Sequence, residues 1–145
     1  MKTVLLIVLA LAASAALWVR FAPTDPARWN LRPVMPAPGP GDWPEAGGFR
    51  AQRIVPGAPG AVLAALDAIA RKTPRTKRIA GSPAEGLATY ETRSRLWGFP
   101  DYTTISAAPA GTGTKLGIHA RLRFGSSDFG VNRARVEAWL AALGA

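Results

Sequence analysis

Residues 114 to 124, TKLGIHARLRF, alternate between two kinds of side chain. Thr114, Leu116, Ile118, Ala120, Leu122 and Phe124 fall on one side, and Lys115, Gly117, His119, Arg121 and Arg123 on the other. A period of two predicts a strand with one core face and one basic face. Further strands are predicted over Phe49–Val55, Arg75–Ala80, Leu87–Leu96 and Asp101–Ala107. They are punctuated by Gly81-Ser82-Pro83, Gly98-Phe99-Pro100 and Gly111-Thr112-Gly113. The period lengthens over Ala58–Arg71, where Val62, Leu66 and Ile69 stand at i, i+4 and i+7, and again at Val136, Trp139, Leu140 and Leu143. Both stretches predict amphipathic helices. Pro59 suits the first turn of the earlier one and Pro74 stops it. The fold class is therefore α+β in the order β-α-β-β-β-β-α, an antiparallel sheet with two helices on one face.

A different pattern precedes this unit. After Lys2 the chain is uncharged from Thr3 to Val19, and seventeen residues of helix reach about 26 Å. Extension to Ala22, with Trp18 at the interface and Arg20 snorkelling, makes a membrane helix of sufficient length. Residues 1–21 are read as a transmembrane anchor or a signal peptide, with Ala13-Ser14-Ala15 as the cleavage site in the second case. The apolar run continues through Ala16-Leu17-Trp18-Val19, which favours the anchor. Either reading sends the domain across a bacterial inner membrane to face the periplasm, as a secreted protein if the segment is cleaved. Arg20, Arg28 and Arg32 outweigh Lys2 and oppose that orientation, whereas a short N-terminal tail ahead of an export segment favours it.

Residues 22–48 hold seven of the 13 prolines. Proline fixes φ and removes donors, so this stretch reads as a semi-extended tether without a core of its own, with Trp29 and Trp43 free to dock on the domain or the bilayer. Residues 49–145 form the expected folded unit.

Charge adds the first functional hint. Eighteen Lys and Arg stand against nine acids, a formal charge of +9, and there is no cysteine. The excess favours anionic partners, and thiolate chemistry is excluded. On Leu87–Leu96, Glu91, Arg93 and Arg95 share a face. With Asp101–Ala107 between that strand and Thr114–Phe124, the two arginine rows lie about 10 Å apart, with Thr104 and Ser106 between them. Arg93, Arg95, His119, Arg121 and Arg123 then form a candidate ligand-binding face for phosphate or carboxylate. A charged, solvated sheet face kept from aggregating explains the same residues without a ligand. No nucleic acid is expected, because aromatic stacking platforms are scarce on that face.

Catalytic groups are few. His119 is the only histidine, so no multi-histidine metal site forms, and neither metal nor cofactor is expected. The segment FGSSDFGVN, 124–132, fails the G-x-S-x-G elbow because Phe129 replaces the last glycine. It reads instead as a strand-to-helix corner: Gly125 and Gly130 take positive φ, and Ser126, Ser127, Asp128 and Asn132 are cap-forming types. Asp101 and Asp128 are the only candidate carboxylate pair, for hydrolysis of the glycosidase type.

Three segments, PRT at 74–76, RLWGFPDY at 95–102 and RLRFGSSDFGVNRARVEAWLAAL at 121–143, resemble the bacterial and plastid family catalogued as domain of unknown function 1499. The resemblance spans Ile54 to Leu143, and its most specific part is S-D-[FL]-G-V-N-R. The family often has Ser-Arg-x-Gly where this chain has Leu122-Arg123-Phe124-Gly125, so one hydroxyl is missing. The resemblance implies no activity. The element order is also similar to TATA-binding-like and helix-grip folds, an analogy of fold alone. The leading expectation is a membrane-tethered module that binds an anionic lipid headgroup or acidic protein through its basic sheet face. The alternatives are a hydrolase using Asp101 and Asp128, or an accessory subunit of a membrane complex.

Overall fold

A computed structural model describes all 145 residues. Helix α1, Lys2–Phe21, buries none of its residues within the chain and is long and apolar enough to cross a membrane. After a short 3-10 turn at Pro26–Arg28, whose Asp25 Oδ1 accepts the Ala27 N–H, come six strands and two helices. These are β1 (Gly41–Glu45), β2 (Gly48–Pro56), α2 (Pro59–Lys72), β3 (Thr76–Ser82), β4 (Leu87–Arg93), β5 (Pro100–Ala110), β6 (Gly113–Leu122) and α3 (Val131–Leu143). The strands form one antiparallel sheet in the order β1-β2-β6-β5-β4-β3. From β2 onward the order is the expected β-α-β-β-β-β-α.

The helix-covered face follows the alternation. Leu116, Ile118 and Ala120 of β6 meet Phe49 and Ala51 of β2, Ile105 of β5 and Tyr90 of β4, all fully buried. Leu63 and Leu66 of α2 and Val136, Trp139 and Leu140 of α3 close this core. Two polar contacts fix the helices. The Tyr90 hydroxyl donates to buried Asp67 at 2.7 Å, and Trp139 Nε1 donates to Thr73 Oγ1 at 2.8 Å. Burial raises the Tyr90 pKa, and the bond to Asp67 adds to it, so this phenol keeps its proton.

Three expectations need correction. Gly41–Glu45, read as tether, is a strand: five residues pair with β2, from Gly41 opposite Gln52 to Glu45 opposite Gly48. Proline is tolerated there because β1 is an edge strand, where Pro44 need donate to no neighbour. Leu87–Leu96 ends as strand at Arg93, and Thr114–Phe124 ends at Leu122, so Arg95 and Arg123 lie beyond their strands.

The largest correction concerns the other sheet face. Residues 22–40 lie across it as a strap. Trp29 stacks on Tyr102 at 4.1 Å between ring centroids. Thr89, Tyr102 and Thr104 on this face are completely buried, and Asn30 Oδ1 accepts the Thr89 hydroxyl at 2.9 Å. The sheet is thus covered on both sides.

Candidate functional site

Of the residues expected on the arginine face, His119, Arg121 and Arg123 lie together, and the strap covers them. Arg121 Nη2 donates to the Trp29 carbonyl at 2.7 Å. Arg123 donates to the carbonyls of Ala22 and Pro23, at 3.1 and 2.6 Å, and to Thr24 Oγ1 at 3.0 Å. Arg50 donates to the Val34 carbonyl, and Gln52 Nε2 to that of Gly39. The chemistry is complementary. A proline-rich strand offers carbonyl acceptors and few N–H donors, while guanidinium is a donor only.

His119 belongs to this layer. Its Nδ1 accepts from Arg121 Nη1 at 2.8 Å, which leaves Nε2–H to donate to Glu45 Oε2 at 3.1 Å. Burial first, then the nearby Arg121 and Arg50, lower its pKa to about 4. The ring is neutral at physiological pH. Burial also lowers the Arg121 pKa, with Arg50 adding to the effect and Glu45 opposing it.

Arg93 and Arg95 belong to a different place. At the sheet end where α1 stops, a cleft of about 640 Å³ opens between the α2–β3 connection and the β4–β5 loop. Its cations are Arg20, Arg71, Lys72, Arg75, Lys77, Arg93 and Arg95, and its only acid is Glu91. Glu91 is 2% exposed and already taken: Arg93 grips both oxygens, at 2.9 and 3.1 Å, and Lys77 stands at 3.3 Å. Arg93 also donates to the carbonyls of Arg20 and Gly98, at 2.6 and 2.9 Å, tying α1 to the rim. Arg71 lies 3.8 Å from Asp67. Arg20, Lys72, Arg75 and Arg95 make no ion pair. Arg75 holds a positive φ of 57°, with its Nε donating to the Arg93 carbonyl at 3.0 Å.

The 124–132 segment is a corner. Asp128 Oδ1 accepts from Gly130 N at 3.1 Å and Oδ2 from Asn132 N at 2.9 Å, satisfying donors at the start of α3. Gly125 and Gly130 have φ of 100° and 80°. Ser126 is exposed and caps nothing, the hydroxyl contact being made by Ser127 with Phe129 N at 3.3 Å. Asn132 does not cap either. Its fully buried amide bridges Asp101 Oδ2, at 3.3 Å, and Arg135 Nη1, at 2.7 Å. Asp101 is further paired with Arg135 at 3.3 Å. Burial raises the Asp101 pKa, and Arg135 opposes the shift. One aspartate caps a helix and the other neutralises a buried arginine, so each carboxylate of the expected pair has a structural occupation.

Four of the five cations between Arg71 and Arg78, namely Arg71, Lys72, Arg75 and Lys77, line the cleft, and they come from the end of α2, the connection after it and the start of β3. The contribution of Arg20 is set only by where α1 ends.

Residues 47–143 match the family model described as Protein of unknown function (DUF1499). No curated protein and no solved structure matches the chain.

Proposed function

The chain belongs to the DUF1499 family of proteins of unknown function, and we propose that this member is a membrane-anchored domain that binds an anionic headgroup at the bilayer surface. The basic cleft carries the reading: seven cations face one neutralised carboxylate, and α1 contributes Arg20 to its lining. If α1 spans the bilayer, Arg20 sits at headgroup depth, and the cleft opens where lipid phosphates are. Trp18, Phe21, Leu96 and Trp97 are all more than half exposed at this end of the domain. Aromatic and apolar groups of that kind suit an interface. In this reading the N-terminus of α1 remains inside and the domain faces the periplasm of a bacterial inner membrane.

Each basic residue near an anionic surface contributes on the order of 1 kcal/mol, so the four unpaired cations supply roughly 4 kcal/mol, weakened by salt. The sheet face plays the other part: Arg121 and Arg123 hold the strap and do not meet the ligand.

The test is thermal unfolding of the full-length chain in a neutral detergent. Added phosphatidylglycerol should raise Tm, phosphatidylcholine should not, and Lys72→Gln with Arg95→Gln, which removes two of the four unpaired cations, should cut the rise by about half. Arg121→Gln should lower the starting Tm and leave the lipid-dependent rise intact. A rise that survives the cleft substitutions undiminished but disappears with Arg121→Gln would return the site to the sheet face. No response to anionic lipid would leave the cleft to an acidic protein partner.

A further inference from the structure

Beside the basic cleft lies a second, chemically opposite cavity. It measures about 300 Å³ and is lined by Ala12, Ala15, Ala16 and Val19 of α1 and by Trp97 and Phe99 of the β4–β5 loop, all apolar. The two cavities interleave along the same two stretches of chain. On α1, Val19 lines the apolar slot and Arg20 lines the basic cleft. On the loop, Trp97 and Phe99 line the slot and Gly98, between them, lines the cleft. They therefore meet along the line where Arg20 passes Gly98.

That line is tightly built. Gly98 has φ of 69°, and a Cβ there would lie 2.3 Å from Arg20 Nη1. A side chain there would displace the Arg20 guanidinium that crosses the glycine, and the positive φ itself favours glycine. The slot itself depends on small residues: three alanines hollow one face of a helix that is otherwise rich in leucine. Trp97 and Phe99 stand across from them as a wall, with ring centroids 6.4 Å apart.

We infer that the cleft and the slot are one site for a single anionic glycerophospholipid, its phosphate in the cleft and one acyl chain in the slot. This rests on the headgroup reading above and adds the chain. A cavity that is basic on one side of a line and wholly apolar on the other matches the polarity of such a lipid across its glycerol. The cleft has the volume of an ordinary small-molecule site, and the smaller, open slot has room for part of one acyl chain. A free phosphate or a soluble acidic peptide would use the cleft and leave the slot empty. A lipid also reaches the slot without crossing water, because α1 places it within the hydrocarbon when the helix spans the bilayer.

Native mass spectrometry of the full-length chain, released from neutral detergent, tests this with dioleoyl phosphatidylglycerol, dioleoyl phosphatidylcholine and sn-glycerol 3-phosphate. The expected result is one phosphatidylglycerol per chain, at least tenfold tighter than either of the others. Ala16→Leu, which fills the slot on the helix side, should weaken that lipid tenfold or more, and Arg95→Gln should do the same from the cleft. If glycerol phosphate competes as well as the lipid, and Ala16→Leu changes nothing, the chain slot is refuted while headgroup binding stands. If neither phosphatidylglycerol nor glycerol phosphate binds, the headgroup reading falls with it. Many lipids retained without saturation would mark a non-specific annulus and equally overturn the site.

Discussion

Arg121 touches Trp29 twice. Its Nη2 donates to the Trp29 carbonyl at 2.7 Å, and its guanidinium carbon stands 5.2 Å from the centre of the indole ring. One arginine of β6 thereby fixes both the backbone and the side chain of a strap residue ninety-two positions earlier. Tyr102, the cross-strand neighbour of Arg121, stacks on the same indole at 4.1 Å between ring centroids.

Removing either partner should loosen the strap. Trp29→Ala is expected to cost about 2–3 kcal/mol, since a half-buried aromatic loses its stacking and part of its burial. Arg121→Gln should cost about 1–2 kcal/mol through the lost charge-assisted bond. The two losses should add only in part, because both remove the guanidinium–indole contact, whereas the bond to the Trp29 carbonyl is lost only with the arginine. Denaturant unfolding of the single and double variants measures this, and fully additive losses would mean that the pair does not interact.

The strap and β1 set where the stable domain begins. A fragment of residues 22–145 should unfold cooperatively as a monomer. One of residues 49–145 should be less stable by several kcal/mol or aggregate. It loses β1, exposes Tyr102 and Thr104, and forfeits bonds to charged groups that contribute roughly 1.5–3 kcal/mol each. Melting curves and light scattering on the two fragments decide the matter, with equal stability counting against the strap.

Asp128 and Asp101 should behave as structural residues of different rank. Asp128→Ala removes the acceptor for Gly130 and Asn132 and should cost about 1 kcal/mol, with Asp128→Asn milder because asparagine still accepts. Asp101→Ala leaves Arg135 buried and unpaired and should cost about 3 kcal/mol or more. The check is the midpoint of chemical unfolding for each variant. An Asp101→Ala protein as stable as the parent would reopen a functional role for that carboxylate.

His119 predicts an acid limb. Its pKa is lowered from 6.5 to about 4 in the folded state, so between those values the unfolded chain binds a proton that the native chain does not. Stability from this group is fully present above about pH 6.5 and is lost as pH falls toward 4. Below that the contribution is flat. Asp101, whose pKa is raised, acts in the opposite sense at acid pH, so the difference between the parent and His119→Gln isolates the histidine. Unfolding free energies from pH 7.5 to 4 should converge for the two proteins as acid is added. Parallel curves would show that His119 titrates normally.

The alternation in TKLGIHARLRF determined by itself which residues of β6 enter the core, because a pleated strand sends neighbours to opposite faces whatever surrounds it. The stripes at Val62–Leu66 and Val136–Trp139–Leu140 determined both helices for the same local reason, and the glycines and Asp128 determined the corner. What covers a face is not local. That Arg121 and Arg123 spend their donors on Ala22, Pro23 and Trp29 depends on contacts about a hundred residues apart. Nothing in a run of prolines signals that its carbonyls will be used. The cleft was hidden likewise, since Arg20, Lys72, Arg75 and Arg95 come from the ends of two helices, the connection after the second, and a loop. Periodicity reports which way a side chain points; only the packed chain decides what it points at, because donors, acceptors and charges find partners by distance in space.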